Sequence, residues 1–224
     1  LLLQILTTGA PLQAPQLEWF VDDVQVDGEP ASTLPLVNAG DGLWTAELPA
    51  QPDETLLRFR VLDAAARISP RPHDPLAWHG AFVAHPIPGD TRPYRLYIQT
   101  DQWTALWDAV EGGRVLGECT PNPGWGLRVP AVFVHDGRVF DVQVRYQGSR
   151  WNRTNGRSIP TWNAPGPERP STLRALSWSV KFPRYAPLDG RSTVTLNKLT
   201  QGCPGLTADV GFGLFEDVGL PVPR

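Results

Sequence analysis

The chain has 224 residues, of which 41% are hydrophobic and nine are tryptophan, and its formal net charge is −3. This composition supports a buried core and excludes a disordered, collagen-like or coiled-coil chain. No apolar run reaches the roughly 18 residues that would span a bilayer. The slightly negative net charge does not favour general binding to nucleic acid or to an anionic membrane surface. We therefore expect a globular, loop-rich protein.

The first part of the chain has the pattern of short β-strands separated by turns. Apolar and polar residues alternate over Leu43–Leu48, and Leu57, Phe59 and Val61 alternate with two arginines. Segments rich in Gly, Pro, Asn and Asp separate these runs, as is typical of turns. The pattern predicts an all-β sandwich over residues 1–88.

The opening run Leu1–Leu6 fits either a first strand or the remnant of a cut chain. Further on, the strand pattern is broken at Ser69–Pro75, where three prolines fall within six residues. Prolines favour an extended path. We therefore interpret this segment, together with His79–Val83 and His85–Asp90, as a joint, with the domain boundary near residue 88.

Histidines and cysteines give little sign of a metal centre. His73, His79 and His85 recur every six residues, but the intervening prolines favour structural roles. Cys119 and Cys203 lack a CxxC motif and a histidine-rich partner motif, so we predict no zinc site. A disulfide between them and two buried thiols both remain open.

Residues 89–224 mix helix and strand signals, which predicts an α+β domain. Four apolar residues have helical spacing: Trp103, Leu106, Trp107 and Val110. Asp136-Gly137 is a strong hairpin dipeptide, and it is followed by a strand that alternates up to Tyr146. A closing helix is predicted from about Gly205 to Val218, with Gly219 at the position of a C-terminal capping glycine.

A long loop, residues 148–172, follows this strand and is rich in Arg, Asn, Gly and Pro. Arg145 precedes it, and the next strand should direct Ser177, Ser179 and Lys181 outward. A glycine at a strand end lets backbone N–H groups approach a phosphate, and arginine and lysine supply the compensating charge. The segment predicts either a phosphate site or a solvated, arginine-rich surface.

Two of these segments, Val144–Arg150 and Leu176–Phe182, resemble the opening lobe of the spore coat protein H (CotH) kinase family. That family shows an R-x-x-G-S-type strand and loop, and then a strand that ends in Lys-x-Phe or Lys-Phe. Thr195–Leu199 and the final run Asp217–Arg224 are similar to the next segments of that lobe in the family. The resemblance covers about residues 91–224.

The first part of the chain resembles the immunoglobulin-like modules that precede such lobes in some bacterial secreted proteins. Three segments carry this second resemblance: Ala39–Ala46, Pro49–Pro52 and Ser69–Pro75. Together the two resemblances imply an immunoglobulin-like sandwich over residues 1–88 and a CotH-like kinase N-terminal lobe over residues 89–224.

The kinase resemblance also implies a ligand, which is ATP with Mg²⁺ or Mn²⁺. It gives ATP-binding roles to Lys181, Arg145, Gly148, Ser149 and Arg150. Lys181 would hold the α- and β-phosphates. Its possible carboxylate partners are Glu216 and Asp209.

The family's catalytic and metal-binding acids are expected beyond residue 224, so this chain by itself should be inactive. We expect a fragment of a bacterial secreted or surface kinase whose full-length form moves phosphate from ATP to a protein serine. The alternative is a non-catalytic extracellular module that binds a partner protein or a carbohydrate. Neither hypothesis includes a nucleic-acid partner.

Overall fold

The computed structural model describes residues 1–7, 12–23, 28–64, 66–85, 93–111, 126–147, 177–196 and 207–219. This described part is mostly β-strand and contains thirteen strands and two helices. The strands are β1 Leu2–Leu6, β2 Pro15–Val21, β3 Ser32–Pro35, β4 Val37–Gly40, β5 Leu43–Glu47, β6 Thr55–Asp63, β7 Ala66–Ser69, β8 His79–Val83, β9 Arg95–Tyr97, β10 Val129–His135, β11 Arg138–Tyr146, β12 Trp178–Lys181 and β13 Thr193–Leu196. The helices are α1 Thr100–Glu111 and α2 Thr207–Asp217.

The chain divides into two compact units. Unit 1 comprises Leu1–Tyr97 with Val132–Asp141, and unit 2 comprises Ile98–Ala131 with Val142–Arg224. The hairpin of β10 and β11 therefore contributes residues to both units. The boundary expected near residue 88 lies outside the described residues and stays a prediction.

Unit 1 contains two antiparallel sheets, with strand orders β1-β5-β4 and β3-β2-β6-β7. Residues from both sheets form one apolar cluster, which includes Leu17 of β2, Ala46 of β5 and Leu57 of β6. Two sheets that bury their apolar faces against each other are the layers of a sandwich. The strand prediction for the first part of the chain is thus confirmed at the level of a mostly β unit, and the opening run forms β1.

His79–Val83 was expected to belong to the joint, and this expectation was wrong, because the segment forms β8. The reason lies in the length of β6, whose nine residues offer more backbone groups than β7 can pair. β7 pairs with the end of β6 around Val61–Asp63, and β8 pairs with the preceding part, from Thr55 opposite Val83 to Phe59 opposite His79. β8 therefore satisfies backbone donors and acceptors that β7 does not reach.

Arg58 lies on the face of β6 that the sequence alternation marks as polar, yet its side chain is only 10% exposed. Its Nε donates to Asp22 at 2.6 Å. Its Nη2 and Nη1 donate to the two carboxylate oxygens of Asp141 at 2.7 and 3.3 Å. A guanidinium is buried here because two carboxylates, distant in sequence, satisfy its donors.

β9 to β13 form one sheet in the order β13-β12-β11-β10-β9. The predicted hairpin is confirmed, since Asp136 and Gly137 have φ values of 49° and 71° between β10 and β11. Positive φ at both central residues is the signature of a type I′ turn, which matches the twist of a two-residue hairpin. The apolar residues of β11 that were predicted to face inward are buried: Phe140, Val142, Val144 and Tyr146.

Both helices occur where the sequence predicts them. α1 covers the apolar face of the sheet in unit 2, because Trp103 packs with its ring centroid 6.1 Å from Tyr146 and 5.6 Å from Trp178. α2 ends as predicted before Gly219, whose φ is 77°. Its apolar stripe is not covered by described residues: Val210, Leu214 and Val218 are exposed.

Candidate functional site

The predicted site residues Lys181 and Arg145 lie on neighbouring strands of unit 2. Lys181 of β12 is opposite Gln143 of β11, and Arg145 of β11 is opposite Ser179 of β12. On the other side of β12, β13 places Thr193 opposite Lys181 and Thr195 opposite Ser179. Directly opposite residues of an antiparallel pair project from the same face. We call this surface, formed by Gln143, Arg145, Ser179, Lys181, Thr193 and Thr195, the polar face.

The strict alternation of β11 and β12 fixes which side chains reach the polar face. Val144 and Val180, which lie between the polar residues and opposite each other, are fully buried on the other face. Tyr146 and Trp178 stack there with centroids 4.9 Å apart. Because a slip of one residue would bring these apolar side chains to the polar face, their burial fixes the register that brings Arg145 and Lys181 together.

Arg128, directly before β10, also reaches the polar face. Its Nη1 donates to the backbone carbonyl oxygens of Ser179 at 3.1 Å and Gln143 at 3.3 Å. Its Nη2 donates to Ser179 Oγ at 3.0 Å. The sequence analysis missed this residue, since a single arginine before a strand carries no spacing signal.

Arg128 also explains why one prediction for the polar face was wrong. Ser179 was expected to be exposed, but it is 3% exposed. The guanidinium of Arg128 lies against its hydroxyl and its carbonyl group. The position of Ser179 in the alternation was correct, and its burial follows from a side chain that arrives from another strand.

The charges of the polar face are uniformly positive. Burial lowers the pKa of Arg128, and the nearby positive charge of Arg145 lowers it further. The Nε of Arg145 is buried and has no hydrogen-bond partner among the described residues. Within the described part of the chain, no carboxylate forms an ion pair with Arg128, Arg145 or Lys181.

The structure thus brings together two of the five predicted ATP-binding residues. Arg145 and Lys181 are diagonal neighbours across the strand pair, a relation in which Cα atoms lie roughly 7–8 Å apart. Lys181 is exposed. The other three predictions, for Gly148, Ser149 and Arg150, concern positions outside the described residues.

The predicted carboxylate partners of Lys181 lie on α2. Glu216 is exposed and forms no ion pair with Lys181 in the described part of the chain. The side chain of Asp209 is outside the described residues. Both pairings stay predictions.

The three histidines have different partners. His79 Nε2 is 2.9 Å from Ser69 Oγ, and His85 Nδ1 is 2.8 Å from Asp53 Oδ2. His73 Nε2 lies 4.0 Å from Asp74 Oδ1. Cys119 and Cys203 lie outside the described residues. Among the residues that are described, no three His, Cys, Asp or Glu side chains form a group able to hold a metal ion.

The donors on the polar face fit the anionic oxygens of phosphate groups, because guanidinium and ammonium groups are the side chains that bind phosphate. The guanidinium and ammonium groups do not fit Mg²⁺ or Mn²⁺, which bind oxygen ligands such as carboxylates, waters and phosphate oxygens. In the described segments, no helix is both long and apolar enough to cross a membrane. No family model matches the chain, and neither the curated proteins nor the solved structures contain a match.

Proposed function

We propose that unit 2 is the nucleotide-binding lobe of a CotH-like atypical protein kinase and that its polar face receives the phosphates of ATP. Unit 1 would be the immunoglobulin-like module before it. One observation carries the proposal. The lysine and the arginine that the resemblance singles out project from the same face of neighbouring strands.

Lys181 would hold the α- and β-phosphates. Its ammonium group is a compact point charge, and its exposed position leaves it open to a ligand. Arg145 would add a second cation beside it, and the exposed Thr193, opposite Lys181, adds a hydroxyl to the same row. These residues bind and orient the phosphate chain, which is the main contribution of protein side chains to phosphoryl transfer.

ATP would supply the phosphoryl group, and Mg²⁺ or Mn²⁺ would neutralise charge on its oxygens, while the described residues of the polar face would contact the phosphates and not the metal ion. In the full-length form the γ-phosphate would pass to a serine hydroxyl of a protein substrate. The bacterial and extracellular setting follows from the resemblance and belongs to the same proposal.

The lysine content of the chain allows a direct test. Lys181 and Lys198 are its only lysines, so an ATP analogue that carries a reactive acyl phosphate has two lysine targets. We expect acylation of Lys181 to be faster than that of Lys198, and free ATP to suppress the acylation of Lys181 alone. Peptide mass spectrometry measures both sites in one sample, so Lys198 is an internal control.

Two variants sharpen the test. Lys198→Arg should leave ATP-protected acylation unchanged, whereas Lys181→Arg should remove it while the circular dichroism spectrum stays that of the folded protein. Equal acylation of both lysines, without protection by ATP, would overturn the proposal. That result would favour the non-catalytic interaction or carbohydrate-binding module.

A further inference from the structure

Two arginines lie next to Ser179 on the polar face. Arg145 is directly opposite Ser179 in the strand register. Arg128 comes from the residue before β10 and donates to Ser179 Oγ and to the carbonyl oxygen of the same residue. Three hydrogen bonds to fixed acceptors hold Arg128 in place. Ser179 is therefore the positioning residue for one of the two arginines.

This pair of like charges lacks a neutralising acid among the described residues. Asp141, which shares the polar side of the β11 alternation two residues before Gln143, is ion-paired with Arg58. Like charges held together in a partly buried position raise the free energy of the folded state. The lowered pKa of Arg128 is consistent with this repulsion. A bound anion would remove the cost.

One donor at this position also has no acceptor. Arg145 Nε is buried and makes no hydrogen bond to a described residue. A buried donor without a partner costs about 1–3 kcal/mol, more where the group is charged. A shift of the Arg145 side chain that exposed this atom to a ligand oxygen would remove that cost.

We infer that Arg145 and Arg128, together with the exposed hydroxyl of Thr195, form a binding site for a tetrahedral oxyanion. Two guanidinium groups and a hydroxyl offer more donors than the two oxygens of a planar carboxylate can accept, which suits an anion with three or four oxygens. The two positive charges match a phosphate dianion. The inference rests on the proposed function for the source of the anion, a nucleotide phosphate, whereas the site itself would equally accept inorganic phosphate or sulfate.

The probe is inorganic phosphate, with sodium chloride at equal ionic strength as the reference. We expect phosphate to raise the unfolding temperature of the chain and chloride not to, because a ligand that binds only the folded state stabilises it. Arg128→Gln and Arg145→Gln should each weaken phosphate binding about tenfold, in line with the loss of one charge-assisted hydrogen bond. Arg184→Gln is the matched control, since Arg184 is an exposed arginine in unit 2.

Lysine variants cover the case in which a glutamine variant does not fold. Arg128→Lys and Arg145→Lys keep the charge but lose the guanidinium fork, so we expect weaker but measurable phosphate binding. If phosphate and chloride have the same effect, or if Arg184→Gln weakens binding as much as the other two changes, the inference is wrong.

Titration with ATP and with adenosine separates this inference from the proposed function. Phosphate binding that depends on both arginines, without ATP protection of Lys181, would retain the oxyanion site and overturn the nucleotide lobe. If ATP still protects Lys181 in Arg128→Gln and Arg145→Gln, the nucleotide lobe is retained and the oxyanion site is overturned. Equal binding of adenosine and ATP would overturn the nucleotide lobe, and the response to inorganic phosphate would still decide the oxyanion site.

Discussion

Arg58→Met tests whether the buried guanidinium of unit 1 contributes to stability. The substitution keeps a long side chain but removes the donors to Asp22 and Asp141, whose side chains are 16% and 47% exposed. Burial acts to lower the pKa of Arg58, but Asp141 and Asp22 more than offset it, so the pKa is raised. Arg58 is therefore charged at every working pH.

The expected loss follows from the burial of the two carboxylates. Removing one partner of a buried ion pair costs about 3–5 kcal/mol, and an exposed pair is worth at most about 1 kcal/mol. The loss at the half-exposed Asp141 should be close to that of an exposed pair, because water can replace its partner. The loss at the more buried Asp22 should be closer to that of a buried pair. We expect Arg58→Met to lower the free energy of unfolding by about 3 kcal/mol.

Urea unfolding followed by tryptophan fluorescence measures this loss. Arg71→Met, at an exposed arginine of the same unit, should change the free energy by less than about 0.5 kcal/mol. Adding Asp22→Asn to Arg58→Met should recover about 1 kcal/mol, because the uncompensated carboxylate is gone. A loss below about 1 kcal/mol in Arg58→Met, with the same urea dependence as the wild type, would refute the reasoning.

Two further predictions concern β8. Gly80→Ala would place a Cβ 2.7 Å from Val139 Cβ and Cγ1, so it should cost about 1–3 kcal/mol in urea unfolding. Gly213→Ala has nothing within 4 Å and should cost nothing; equal effects would contradict this packing argument. Burial lowers the pKa of His79 below its usual value of 6.5, against a smaller opposing effect of Asp74. The unfolded chain then binds more protons, so the contribution of His79 is complete above about pH 6.5 and is lost as the pH falls through the lowered pKa. His79→Gln should flatten the decline of stability below pH 6.5, and parallel pH profiles for the two proteins would disprove this.

Much of the fold could be predicted from residues that are close to each other in the sequence. The Asp136-Gly137 turn, the alternation of β11 and the glycine that caps α2 were all predicted from neighbouring residues. Each depends on backbone preferences or on a two-residue period that acts within a few positions. The sequence therefore predicted that Lys181 and Arg145 belong to polar strand faces, and the resemblance implied that both bind ATP.

The tertiary structure alone decided which polar side chains are buried and which meet. Arg58 can be buried because Asp141, which is 83 positions away in the sequence, accepts its hydrogen bonds. Ser179 is buried under Arg128, which is 51 positions away. A period of two specifies the face of a strand, but it contains no information about which distant side chain will cover that face. The sequence pattern therefore could not predict that Arg128 belongs to the candidate site. The excess of positive charge beside Arg145 follows only from the pairing of the strands in the tertiary structure.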